Sequence, residues 1–564
     1  MLEYALFVFL LAYAHGWQVN TTEGVVEGSK AVDGDYYAFY GIPYAGPTSG
    51  QNRFKGPVPP SRYPGLFHAM DSSVICAQPS ARGLIGVENC LTLSVFTKND
   101  TVSKPVIVWL NSEEYTNSNT QMFSFRRLVD FNLVFITMNF RLSIFGFLCL
   151  GVQEAPGNAG LRDVIQGLKW IKANIANFGG DPDNVVLMGH ASGAAMVDLL
   201  TISPQTENLV HRAISLSGSG LAPWAVAYDP IGYAQQLGAK LGYTGKTPAE
   251  LAKHLIATDI TVLHTALTEF KFQNNTPLFA PCLENPKLNP NDTVLAEAPI
   301  NVLRSSKYSQ IPYIYGYTTR EGTMRADEAA FGNWLTTMQT NFTNFLQVDL
   351  QFGDNRTAEA ASIRDFYFGS SPISMGTIED YLEYQGDTLV LVSVIRAAKE
   401  RASTSKSAVR LLELGYLGTM NSDWIYNQIP LSGAKHGAFL NYLFNYDLRP
   451  VDEAVTLSMV MRFTEFAHDM TSPATVGGNN FHAWPAITKE ATNYLYYGGI
   501  QGPTVNNTAI YVEEPRFDPH VQRMTFWANL YAKYYVAPAQ PSSSNVTVGC
   551  FLFVMLCQLF VRLF

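Results

Sequence analysis

Val186-Leu187-Met188-Gly189-His190-Ala191-Ser192-Gly193-Ala194-Ala195 decides how this chain folds. An apolar run enters a glycine turn, and small residues leave it. That is the profile of a buried strand feeding a tight turn into a closely packed helix. In the nucleophile-elbow version of this turn the frame is G-x-S-x-G, and the central serine is thrust out on strained backbone. Here Gly189 and Gly193 keep the frame, and Ala191 stands at its centre. Alanine has no side-chain oxygen, so position 191 supports no covalent acyl intermediate. Ser192 then has two readings: a small residue opening the helix, or a nucleophile moved one place along. Successive helical side chains turn by about 100°, which aims Ser192 away from the tip of the turn and favours the first.

Outward from the elbow, strand and helix patterns alternate. Val106-Ile107-Val108-Trp109-Leu110, Leu133 to Met138, Val185 to Met188 and Ile311 to Tyr315 are short apolar runs rich in β-branched or aromatic residues. Between them, Leu161, Val164, Ile165, Leu168, Ile171 and Ile175 recur every three or four residues over 160–177, which predicts an amphipathic helix. The order predicts an α/β fold: a large, mostly parallel central sheet covered by helices on both faces. Function belongs at the loops on the carboxyl ends of its strands. With 47% hydrophobic and 15% charged residues, the 564-residue chain can bury a large core. No linker-like stretch interrupts residues 20–535, so one domain over 17–535 is expected. A formal charge of −9 argues against nucleic acid as a partner. No cofactor motif and no Cys or His spacing for a metal is seen, so neither is expected.

The ends predict a secreted protein. Residues 5–13 form a short apolar core and Ala14-His15-Gly16 offers small residues after it, as in a signal peptide over 1–16. Residues 536–545 are Pro/Ser-rich, and 546–564 are mainly apolar and shorter than a spanning helix needs. A GPI-attachment signal is expected, with Ser542, Ser543, Ser544 or Asn545 as acceptor; a short membrane anchor is the alternative. Sequons at Asn20, Asn99, Asn274, Asn291, Asn341, Asn355, Asn506 and Asn545 agree with a glycosylated surface. In an oxidising compartment Cys76 and Cys90, close in sequence, are expected to bridge. Cys149 and Cys282 lie in apolar contexts and read as buried thiols.

Longer strings carry a resemblance. Phe39-Tyr40-Gly41-Ile42-Pro43-Tyr44-Ala45, Glu88-Asn89-Cys90-Leu91-Thr92-Leu93, Asn139-Phe140-Arg141, Phe145-Gly146-Phe147-Leu148, Gln153 to Asn158 and Phe178-Gly179-Gly180-Asp181-Pro182 resemble landmarks of the cholinesterase and type-B carboxylesterase family. The resemblance spans about residues 24 to 535 and implies the α/β-hydrolase fold. It implies that Glu321, in Arg320-Glu321-Gly322, and His436, in Lys435-His436-Gly437, are the acid and histidine of a triad whose nucleophile position is Ala191. It also implies a glycine-rich oxyanion loop after Trp109. Here that loop holds Ser112, Glu113 and Glu114, two of them carboxylates where an anion would develop. His190 replaces the glutamate usual before the elbow's centre. No tryptophan lies between Cys76 and Cys90, which argues against binding choline.

Those departures lead to an expectation of a pseudoenzyme: a non-catalytic surface glycoprotein resembling neuroligins, gliotactin and glutactin, adhering to another extracellular protein. The resemblance also implies homodimerisation through a C-terminal helix over Val521 to Tyr535, for which a core helix is the alternative. Two further readings stay open: a carboxylic ester hydrolase with Ser192 as displaced nucleophile, and a small-molecule binder without turnover.

Overall fold

The alternation that sequence periodicity predicts is resolved residue by residue in a computed structural model, which describes residues 16–541 except 101, 121–122, 269, 271–274, 422, 430, 448, 470–474, 477–478, 481–482 and 500–510. The segments read as signal peptide and anchor lie largely outside the described residues, as do Asn274, Asn506 and the acceptors Ser542 to Asn545.

Twelve strands form the path of the central sheet: β1 (Trp17–Thr21), β2 (Gly24–Lys30), β3 (Tyr37–Pro43), β4 (Thr92–Thr97), β5 (Lys104–Ser112), β6 (Val134–Met138), β7 (Gly180–Ala191), β8 (Arg212–Leu216), β9 (Tyr313–Thr318), β10 (Val409–Leu414), β11 (Asn493–Gly499) and β12 (Tyr511–Phe517). Their spatial order is β1-β2-β3-β4-β6-β5-β7-β8-β9-β10-β11-β12, and a short strand at Phe67–His68 pairs with β2. The run from β6 to β11 is parallel throughout, and the flanking pairs are antiparallel. The expected class is therefore the observed one.

Side chains alternate across a strand, so one strand feeds two cores. Val106, Val108 and Leu110 enter one hydrophobic cluster, and Ile107 and Trp109 enter the other. Helices cover the sheet, among them α1 (Ala159–Asn174), α2 (Ser192–Thr201) and α3 (Val392–Thr404), and a further helix, α4 (Val521–Tyr534), packs among other helices. Within α4, Trp527, Leu530 and Tyr531 are buried in a third cluster, and Phe526 stacks on Phe366. Those aromatics are thus packed inside the chain.

One ion pair stitches α2 to α3. Arg401, fully buried, donates to Asp198 Oδ1 at 2.8 Å, Thr201 Oγ1 at 2.9 Å and the Tyr315 hydroxyl at 3.0 Å. Removing one partner strands the other's charge without water. Arg401→Met is expected to cost about 3–5 kcal/mol of unfolding free energy, measured by denaturant titration.

Cys76 and Cys90 form a disulfide. So do Cys149 and Cys282, which corrects the expectation of two buried thiols. The apolar contexts are real, but they are the two halves of one site 133 residues apart in sequence. Asn20, Asn99, Asn291, Asn341 and Asn355 are all exposed.

Candidate functional site

The elbow is built as its glycine frame requires. Ala191 has φ 52° and ψ −120° between β7 and α2. A Cβ on Gly193 would stand 2.2 Å from the Leu110 carbonyl oxygen, and one on Gly189 2.5 Å from that of Gly193. Only glycine allows the turn to pass this close to β5. The strained nucleophile backbone is kept, and the hydroxyl is absent.

Ladder register brings the next segment alongside. Ala191 pairs with Ser112 and His190 with Asn111, so β5 continues to the level of the elbow. Ser112 is therefore the last residue of a strand, which corrects its placement in a loop. The turn that follows engages two of its own donors. Glu113 N–H donates to Asn117 O at 3.0 Å, and Tyr115 N–H donates to Ser192 Oγ at 2.9 Å. Glu114 and Tyr115 both take positive φ. Glu114 pairs with Arg325, which is itself held by Asn275. The N–H groups at 113 and 115 are thus already satisfied by the protein.

Ser192 is buried at the start of α2, where its oxygen accepts the Tyr115 amide. His436 meets other partners. Its Nδ1 lies 2.5 Å from Glu321 Oε2, and its Nε2 lies 3.4 Å from Glu113 Oε2. Glu321 is fixed in turn by the Ser217 hydroxyl at 2.7 Å and the Thr318 amide at 2.6 Å. The acid and histidine that the resemblance implies are therefore brought together, and the imidazole faces a carboxylate where an elbow hydroxyl would otherwise be sought.

Glu113 also reaches back to the elbow. Its Oε1 lies 3.0 Å from His190 Nδ1, and the His190 and His436 ring centroids are 4.8 Å apart. Burial alone would push His436 down, but Glu113 and Glu321 outweigh it and raise the imidazole to about 10. Burial opposes ionisation of Glu113, yet His436 and His190 hold its carboxyl far below the usual range. The centre alternates carboxylate and imidazole side chains in the order Glu321, His436, Glu113, His190. Beside it a cavity of about 20 Å³, lined by Glu113, Ala191, Ser192, Ser217 and Trp224, has room for a water molecule.

Sequence reasoning found no metal-ligating pattern. The structure brings Glu113, His190 and His436 together, with one donor atom each within 4.8 Å of one another. They come from three distant segments, so no local spacing records them.

The profile described as Carboxylesterase family matches residues 16–508. Venom carboxylesterase-6 of Apis mellifera is 26% identical over 498 residues, covering 83% of this chain and 89% of that protein. Esterase B1 of Culex pipiens is 28% identical over 448 residues, covering 76% and 82%. The crystal structure of juvenile hormone esterase from Manduca sexta, with OTFP covalently attached, superposes with a TM-score of 0.80 at 24% identity, covering 92% of this chain and 100% of that one. These relatives are named esterases, which overturns the expectation of a non-catalytic adhesion protein of the neuroligin group. By the extent of the match and the architecture of its sheet, the chain belongs to the carboxylesterase family.

Proposed function

We propose that the chain is a carboxylic ester hydrolase in which water, rather than a serine hydroxyl, attacks the ester carbonyl. The observation that carries this is the Glu113 carboxylate 3.4 Å from His436 Nε2, with the His436–Glu321 pair kept behind it. Ala191 leaves the apex of the elbow empty of a nucleophile, and Ser192 is engaged with Tyr115. The kinship with named esterases supplies the substrate class. Two disulfides and five exposed sequons support a secreted, glycosylated protein. Among the described residues no helix is long and apolar enough to cross a membrane. Anchoring through residues 546–564 is a separate proposal, on residues outside those described.

The test is turnover of p-nitrophenyl acetate by the full-length chain. Expected are hydrolysis that a fluorophosphonate does not inhibit and a loss of at least about 100-fold in His436→Gln, the scale of a positioned proton-handling group. No turnover, or covalent labelling of a serine, would sink this reading.

A further inference from the structure

We propose that Glu113, His190 and His436 form a mononuclear site for a borderline divalent cation, zinc foremost. Two imidazoles and one carboxylate, with a fourth position left open, are the donor set of a catalytic zinc centre. Two of the spacings fit. Bonds of about 2.0–2.1 Å in tetrahedral geometry put neighbouring ligand atoms about 3.3 Å apart. Here Glu113 Oε1 and His190 Nδ1 are 3.0 Å apart, and Glu113 Oε2 and His436 Nε2 are 3.4 Å apart, each pair through a different carboxylate oxygen. The three donors together lie within 4.8 Å, so a cation binds by drawing the two imidazoles in around the carboxylate.

The hydrogen-bond geometry points the same way. His190 is fully buried, and neither ring nitrogen makes an aligned hydrogen bond. Its Nδ1 thus neighbours Glu113 at ligand-to-ligand distance without being a donor to it, and a buried imidazole left in that state is costly. A cation between the three donors satisfies it. His436 is already oriented for the purpose: Glu321 takes Nδ1, which fixes the ring and leaves Nε2 for the metal. Glu113 is one-third exposed, so the site has an entry path.

Three departures from the serine elbow then have one explanation. Glu113 in place of an oxyanion-loop glycine and His190 beside the elbow supply ligands, and Ala191 leaves room for a bound water. The site stands on its own geometry; its use in ester hydrolysis rests on the function proposed above. That chemistry balances with water alone. The water oxygen bonds to the carbonyl carbon, the carbon–alkoxy bond breaks, and one water proton leaves with the alcohol.

The experiment is titration of the full-length, EDTA-stripped protein with Zn²⁺ by calorimetry and with Co²⁺ by visible absorption. Expected are one equivalent of each, an intense d–d band of tetrahedral Co²⁺, and at least about 100-fold weaker binding in Glu113→Ala. The positioning residue is tested by Glu321→Gln, expected to weaken binding by about 10–100-fold. Thermal melts of each variant separate lost ligation from lost folding, and Glu113 is exposed enough for its variant to fold. Absence of stoichiometric uptake by the folded native chain, or uptake unchanged in Glu113→Ala, overturns the site. One equivalent bound without esterolysis overturns the hydrolase reading and leaves the site. Esterolysis by the metal-free protein leaves the hydrolase reading and overturns the metal's part in it.

Discussion

Ala191→Ser on its own is expected to stay unlabelled by a fluorophosphonate, whereas Ala191→Ser combined with Glu113→Gly is expected to label at least about 100-fold faster than the single variant. Restoring the hydroxyl restores one of three requirements. The imidazole is still occupied, since His436 Nε2 faces Glu113 and its Nδ1 faces Glu321. Glu113 and Glu321 both raise the imidazole, so a hydroxyl at 191 competes with the Glu113 carboxylate for Nε2. The anion that forms on labelling also meets the Glu113 carboxylate, and two amides of the former oxyanion turn, those of Glu113 and Tyr115, already donate to Asn117 O and Ser192 Oγ. One lost oxyanion donor costs about 10²–10³ in rate. Glycine at 113 removes the carboxylate from His436 and frees the backbone to re-aim its N–H. Mass spectrometry of the labelled protein reads both variants. Rapid labelling of Ala191→Ser alone would mean that Glu113 does not hold the centre as the geometry indicates.

The second large effect is on stability. Removing the Cys149–Cys282 bridge by Cys149→Ala/Cys282→Ala is expected to lower the unfolding free energy by about 5 kcal/mol, against about 3 kcal/mol for Cys76→Ala/Cys90→Ala. The difference comes from loop length. The bridges close loops of 133 and 14 residues, and in the chain-entropy account the larger loop restricts the unfolded ensemble more. Both bridges are buried. Denaturant titration of the two double variants gives the order directly, and a smaller loss for the Cys149–Cys282 pair would contradict it.

These two predictions mark where sequence reasoning stops. By itself, the sequence determined what depends on near neighbours in the chain. The glycines at 189 and 193 specify a turn that no other residue can make, and Ala191 at its centre is legible as a missing nucleophile. The β-branched runs and the three-to-four periodicity over 160–177 specify alternating strands and helices, and that order specifies a parallel sheet. The strings around Glu321 and His436 pointed to a pair that the fold brings to hydrogen-bond distance.

Tertiary structure alone decided what depends on register and on contacts between distant segments. Extension of β5 through Ser112, beside Ala191, sets the level at which Glu113 leaves the sheet, and so puts its carboxylate against both histidines. From sequence, Glu113 was a lost glycine, His190 a lone histidine, and Cys149 and Cys282 separate thiols. Each is half of an arrangement whose other half lies far along the chain. Periodicity and motif spacing report only the path of the backbone through a few residues. Ligand geometry and disulfide pairing depend on where the carboxyl ends of parallel strands meet, and that is fixed only when the whole sheet is assembled.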